Sequence, residues 1–135
     1  MTVDKSAAKA ILRDPQGNVL VLRRSASHPH VPFTSDLPGG TFEADEQSID
    51  ALIREVREEI GLDVGSMKVV LIDSRVVEAY GKRVQTDFYE VTGFQEQPKV
   101  ILDSEHDKFE WLPVRELTHV GFFEDQVREY VAKDT

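Results

Sequence analysis

The sequence predicts an α/β (α+β) sandwich, and three observations carry the prediction. Strand-like and helix-like stretches follow one another in the order strands, helix, strands, helix. Ile49, Leu52, Ile53, Val56 and Ile60 recur at helical spacing within an arc of about 100°, so one helix has an apolar face to bury. Hydrophobic residues at 40% and charged residues at 30% give the balance of an ordinary globular chain. A length of 135 residues suits one domain, 1–135, large enough to hold a core.

The elements follow from local pattern. Apolar positions at Ala8, Ala10 and Leu12 predict a first strand. Asp14 to Asn18 forms a turn, and Val19 to Leu22 a second strand, so the two are expected to pair as a hairpin. Residues 25–36 contain two prolines and little periodicity and read as a loop; Leu37 to Phe42 is a short extended segment. The helix ends at Gly61, a left-handed cap, with Leu62 placed to pack back on the last turn. Three strands are expected at Met67 to Asp73, Arg75 to Tyr80 and Arg83 to Thr92, the last two joined by a turn at Gly81-Lys82. Short strands at Lys99 to Leu102 and Phe109 to Leu112 and a helix within Phe122 to Val131 complete the chain.

Composition excludes several functions. A net charge of −9 is unsuited to non-specific nucleic-acid binding, which displaces counterions from phosphates with a basic surface, and equally to an anionic membrane. With no cysteine there are no disulfides, thiolate zinc sites or cysteine nucleophiles. The longest apolar runs, such as residues 69–72, are too short to span a bilayer, and the start of the chain has no leader-like apolar core. A soluble, unprocessed, cytoplasmic protein is expected.

The helix poses a charge problem. From Glu43 to Glu59 there are seven acidic residues against two arginines. Glu58 and Glu59 sit at the helix C-terminus, where the peptide dipoles leave partial negative charge. Glu55, Glu58 and Glu59 share a second arc of about 100°, centred roughly 120° from the apolar stripe. Arg54 flanks that arc and can pair with Asp50 and Glu58, but Glu55 and Glu59 are like charges four residues apart and cost a few tenths of a kcal/mol. One reading is a solvated acidic face. The other is a divalent cation, which reverses the sign of the cost; hard carboxylate oxygens select Mg²⁺, with Mn²⁺ possible.

Gly40, Glu46 and the run Arg54-Glu55-Val56-Arg57-Glu58-Glu59-Ile60-Gly61-Leu62 resemble the signature of the Nudix hydrolases, G-x5-E-x7-R-E-U-x-E-E-x-G-U with U aliphatic. Every specified position is filled, over about a sixth of the chain. The resemblance implies a Nudix-type α/β/α sandwich with a mixed central sheet. It implies cleavage of a nucleoside triphosphate or another nucleoside diphosphate derivative by water attack on phosphorus. Glu55, Glu58 and Glu59 would be metal ligands, Gly40 would offer its carbonyl, Arg54 would orient the glutamates, and Glu46 would support the site. Asp45 stands where many members have glycine, which leaves the local turn open but removes no ligand. A silent nucleotide-binding or regulatory module of the same fold usually lacks box carboxylates, whereas this chain keeps them all. The isomerases of this fold use a cysteine absent here.

Signals outside the box are weaker. Glu43 stands where many members carry an extra glutamate, for substrate or metal contact or for mere solvation. Glu105 and, less strongly, His106 resemble the late loop that brings a further base or ligand in some members; as plain loop residues they would be solvated or hydrogen-bonded. Arg23 and Arg24 end the second strand and could meet phosphate, or be surface charge. His28, His30 and Phe33 could wall a base, although two histidines alone make a poor zinc site. Tyr80, Phe88 and Trp111 read as core or sheet aromatics. A small nucleotide-type molecule is the expected partner, and the protein a monomer or homodimer.

Overall fold

The computed structural model describes residues 2–28, 31–43, 45–117, 120–121 and 123–134. Strands β1 (Lys5–Leu12), β2 (Asn18–Arg24), β3 (Ser35–Asp36) and β4 (Gly39–Phe42) precede helix α1 (Ser48–Ile60). Strands β5 (Lys68–Ala79), β6 (Lys82–Thr92) and β7 (His106–Pro113) come after it, then a 3-10 turn at Val114–Glu116 and helix α2 (Glu124–Asp134). Helix α1 ends where Gly61 takes φ 71° and donates its N–H to the Arg57 carbonyl at 3.0 Å, the cap the sequence predicts.

Two sheets form, in the orders β4-β1-β6-β5 and β3-β2-β7. The first is mixed: β1 runs parallel to β6 and antiparallel to β4. Alternate residues of β1 feed two cores. Ala8, Ala10 and Leu12 join Leu52, Val56 and Ile60 of α1, while Ile11 joins Phe88, Phe123 and Val127 on the side of α2. A helix on each side of the strands is the α/β/α arrangement expected. No helix among the described residues is long and apolar enough to cross a membrane.

Several expectations need correction. The first two strands do not pair as a hairpin. The turn forms, with Asp14 Oδ1 accepting the N–H groups of Gln16 and Asn18, but after one bridge at Arg13 and Val19 the strands part. Both edges of β1 are taken by β4 and β6, and both edges of β2 by β3 and β7, so the two enter different sheets. The two strands expected at 67–80 are one, β5, bent by a bulge between Leu71 and Asp73. Its turn to β6 is Tyr80-Gly81, both with positive φ, one residue earlier than expected. Residues 99–102 form no strand; Ile101 N–H bonds the Ile60 carbonyl at 3.0 Å and so closes the end of α1. Ile49, counted on the buried face, is exposed, because only Leu52, Val56 and Ile60 reach the sheet fully. His30 and Phe122 lie outside the described residues.

The step from β3 to β4 brings the chain across β1 at close range. Gly39 pairs with Lys9 at φ 125°, and a Cβ there would stand 2.1 Å from the Ala8 carbonyl oxygen. Glycine alone lets the chain lie this close to β1. Gly39→Ala is therefore expected to cost about 3 kcal/mol or more, since backbone strain and a backbone clash add; denaturant unfolding of the variant beside the wild type measures it.

Candidate active site

The site grows from three neighbouring elements. Lys9 is the one charged residue in the buried half of β1, and its side chain turns away from α1 toward β3. Its ammonium donates to Asp36 Oδ1 at 3.0 Å, to the Leu37 carbonyl at 3.1 Å and to the Gly39 carbonyl at 2.9 Å. Asp36, at the end of β3, also accepts from Arg24 Nε at 3.2 Å and from the Leu37 N–H at 2.9 Å. All three side chains are buried. His106, at the start of β7, bonds Asp103 through Nδ1 at 2.8 Å. Its buried Nε2 stands 3.5 Å from Asp36 Oδ2, an ion-pair distance longer than a well-formed hydrogen bond.

Glu59 reaches this cluster from α1. Its Oε1 accepts the Gly39 N–H at 2.7 Å, under the strand that Lys9 holds by its carbonyl. Glu59 is thus buried, against the reading of a solvated acidic face. Burial pushes its pKa up to about 8, against the pull of Lys9. Burial also raises Glu55, opposed by Arg54. Burial would raise Asp36 as well, yet Lys9, His106 and Arg24 together outweigh it and hold Asp36 well below the usual carboxylate range.

Arg54 arranges the outer part of the helix face. It meets Glu46 with two bonds of 2.9 Å, Glu55 at 3.0 Å and Glu58 at 3.3 Å. Its partner at the helix start is therefore Glu46 and not Asp50. The bidentate bond from Arg54 lowers the Glu46 pKa. Glu58 remains largely exposed, while Glu55 and Glu59 line one pocket of about 240 Å³ with Gly39, Gly40, Lys9, Asp36, Arg24 and Glu105. A Cβ at residue 40 would come within 2.8 Å of Glu55 Oε2, so only glycine leaves that carboxylate its place.

The oxygen donors around this pocket suit a divalent cation. Gly40 and the carboxylates of Glu55 and Glu59 offer hard oxygen donors to it, and Glu105 lies among the same lining residues. Among the described residues no three acidic or histidine side chains are already arranged to hold a metal ion, and Arg54 engages both Glu55 and Glu58.

The NUDIX domain family matches residues 4–133, nearly the whole chain that carries this geometry. The chain belongs to that family. An octanoyltransferase of Myxococcus xanthus is 34% identical to it over 106 residues, 76% of this chain and 28% of that protein. An 8-oxo-dGTP diphosphatase of Proteus vulgaris is 29% identical over 90 residues, 67% of this chain and 78% of that protein. This chain thus spans little more than a quarter of the first relative's length. A solved MutT protein from Methanosarcina mazei shares the fold at a TM-score of 0.84, with 23% identity over 97% of this chain and 95% of that one. Nudix hydrolases act on nucleoside diphosphate derivatives and generally use a divalent metal ion.

The remaining candidates divide. Arg24, His28 and Glu105 line the pocket, but Arg24 spends its guanidinium on Asp36. Arg23 points the other way and meets Asp107 with bonds of 2.8 and 2.7 Å; Phe33, exposed and at φ 65°, packs its ring 5.7 Å from that guanidinium. Glu43 lies in a separate open groove with Asp45, Glu46, Asp50 and Arg54. None of these three reaches the pocket. Phe88 is core as expected, and Trp111 packs at the core's edge. Tyr80 is not core: it lines the pocket, its ring 5.6 Å from the Arg24 guanidinium. Lys9, Asp36 and Tyr80 are the residues that sequence reasoning missed.

His106 gives the cluster a pH signature. Burial would lower its pKa, but Asp36 and Asp103 outweigh that and raise it from 6.5 to about 9. A raised imidazole pKa stabilises the fold fully below about 6.5, and the contribution is lost as pH climbs toward 9. Metal-free protein is expected to lose stability over that window, with Glu59 adding to the loss in its lower part. His106→Gln should show a shallower decline, measured by denaturant midpoints from pH 6 to 9.

Proposed function

We propose that this chain is a Mg²⁺-dependent pyrophosphohydrolase, with Mn²⁺ as an alternative ion, that cleaves the diphosphate of a nucleoside triphosphate or another nucleoside diphosphate derivative by water attack on phosphorus. The observation that carries the proposal is the complete box from Gly40 to Leu62, folded so that Glu55, Glu59 and Gly40 share one pocket wall.

In this reading Glu55, Glu58 and Glu59, with the Gly40 carbonyl, hold the metal. A bound divalent ion would neutralise phosphate oxygens and lower the pKa of a water. Arg54 keeps Glu55 and Glu58 in reach and is itself fixed by Glu46. Gly61 ends the helix so that Glu59 falls beneath Gly39. Glu105, across the pocket, takes the proton of the attacking water or adds a ligand, and the box glutamates are the alternative base. Arg24 holds Asp36 in place, and Arg23, Phe33 and Glu43 do not line the pocket. The diphosphatase of Proteus vulgaris makes nucleoside triphosphates the first substrates to try.

With Mg²⁺ and a panel of nucleoside triphosphates, dinucleoside polyphosphates and sugar nucleotides, followed by phosphate-containing products, turnover of at least one member is expected. Glu58→Gln should cut kcat by about 100-fold or more, beyond the usual cost of a merely supporting contact. An unchanged rate in Glu105→Gln would move the base to the box. Binding without turnover across the whole panel would make the protein a silent module.

Metal binding should also register without activity. At a hundredfold excess over Kd, Mg²⁺ should raise Tm by about 10 °C. Replacing Glu58 and Glu59 together by glutamine should weaken that response while slightly stabilising the metal-free helix end; scanning calorimetry with and without Mg²⁺ measures both.

A further inference from the structure

The pocket has a second end that the box does not occupy. Lys5 and Lys9 lie on the same face of β1, four residues apart and so about 13 Å along the strand. Lys9 marks the end held by Glu59 and Gly39. Ala7 lies between the two, Val84 pairs with Lys5 and Ala79 stands further out along the neighbouring strands, so that the three form a small apolar patch around the Lys5 end. Tyr80 follows Ala79 at the hairpin tip, held at φ 55° in the tight turn, its ring reaches back to within 5.6 Å of the Arg24 guanidinium, and Phe123 stands among the lining residues. The interval is comparable to the distance from a nucleotide's diphosphate to the far edge of its base. Small side chains beneath and an aromatic ring beside it leave room for a planar ring.

The cations of the pocket differ in one respect. Lys9 and Arg24 are both consumed by Asp36. Lys5, half-buried on the pocket wall, has no hydrogen-bond or ion-pair partner for its side chain among the described residues. An ammonium only donates. Facing a base, it finds an acceptor on the keto oxygen and ring nitrogen of a 6-oxopurine, but meets a donor in the amino group of adenine.

Resting on the proposed nucleotide hydrolysis, we propose that Lys5 is a specificity-determining residue that selects 6-oxopurine nucleotides over adenine nucleotides by donating to the keto edge of the base. Tyr80 lies against the same ring, and the diphosphate points to Glu55 and Glu59.

Steady-state kinetics with GTP, ITP and ATP test the assignment, since ITP keeps the keto oxygen and lacks the 2-amino group of GTP. GTP and ITP are expected to exceed ATP by about tenfold or more in kcat/KM, the scale of one charge-assisted contact to a base edge. Lys5→Met should reduce that preference to within about threefold, with the change in KM for GTP and ITP, and Lys5→Arg should restore it. Three results would overturn the proposal: a wild-type preference for ATP, a keto preference that survives in Lys5→Met, or an equal loss for all three nucleotides, which would place Lys5 on the phosphates. If none of the three is hydrolysed, the catalytic reading fails separately. The same comparison is then made by the Tm shift each nucleotide produces in wild type and Lys5→Met: a larger shift with GTP and ITP that disappears in the variant supports the assignment, and equal shifts sink it.

Discussion

The buried carboxylate of Asp36 is the constraint on which the rest of this structure depends. It receives Lys9 from the mixed sheet and Arg24 from the antiparallel one, with His106 of β7 at ion-pair distance. Two cations and an imidazole could not stay out of water without it, and it could not stay ionised without them. The exchange joins the two sheets at one point. Lys9 then holds the Leu37 and Gly39 carbonyls, and Gly39 offers its N–H to Glu59. A chain of bonds thus runs from the sheet junction to the face of α1 that carries the box.

This arrangement answers the charge problem posed by the helix. The acidic arc is not one solvated stripe. Its members have separate environments: Glu59 under Gly39, Glu55 beside Gly40 with Arg54 on it, and Glu58 in solvent on the same arginine. Burial raises Glu59 and Glu55 alike. A carboxylate pushed up by burial next to other carboxylates is poised to gain from a divalent ion, which is the chemistry the box pattern implies.

How much could be read in advance depended on whether the deciding information was local. The helix, its Gly61 cap and the order of box residues were legible because periodicity and cap chemistry act within a few residues. The site beyond the box was not. Arg23 and Arg24 look equivalent in sequence, yet successive strand residues point to opposite faces, and only the sheet's orientation makes one a solvent partner of Asp107 and the other buried. Lys9 did leave a signal, a lone charge among Ala7, Ala8, Ala10 and Ile11. Its partner, 27 residues away, had none. The bulge that fuses residues 68–79 into one strand is likewise a matter of pairing with β6.

The sequence by itself determined the family-specific helix and the residue types at its face: the glutamates, the arginine that steadies them, and the glycines that leave room. These arise from spacing and backbone chemistry, which fold context does not alter. The tertiary structure decided which of the like residues are brought together. β1 pairs with β4 and β6 instead of with β2, Glu55 and Glu59 face the pocket while Glu58 does not, the Tyr80 ring comes to Arg24, and Lys5 joins the pocket lining. Those outcomes depend on strand register and burial, which come from contacts between segments distant in the chain.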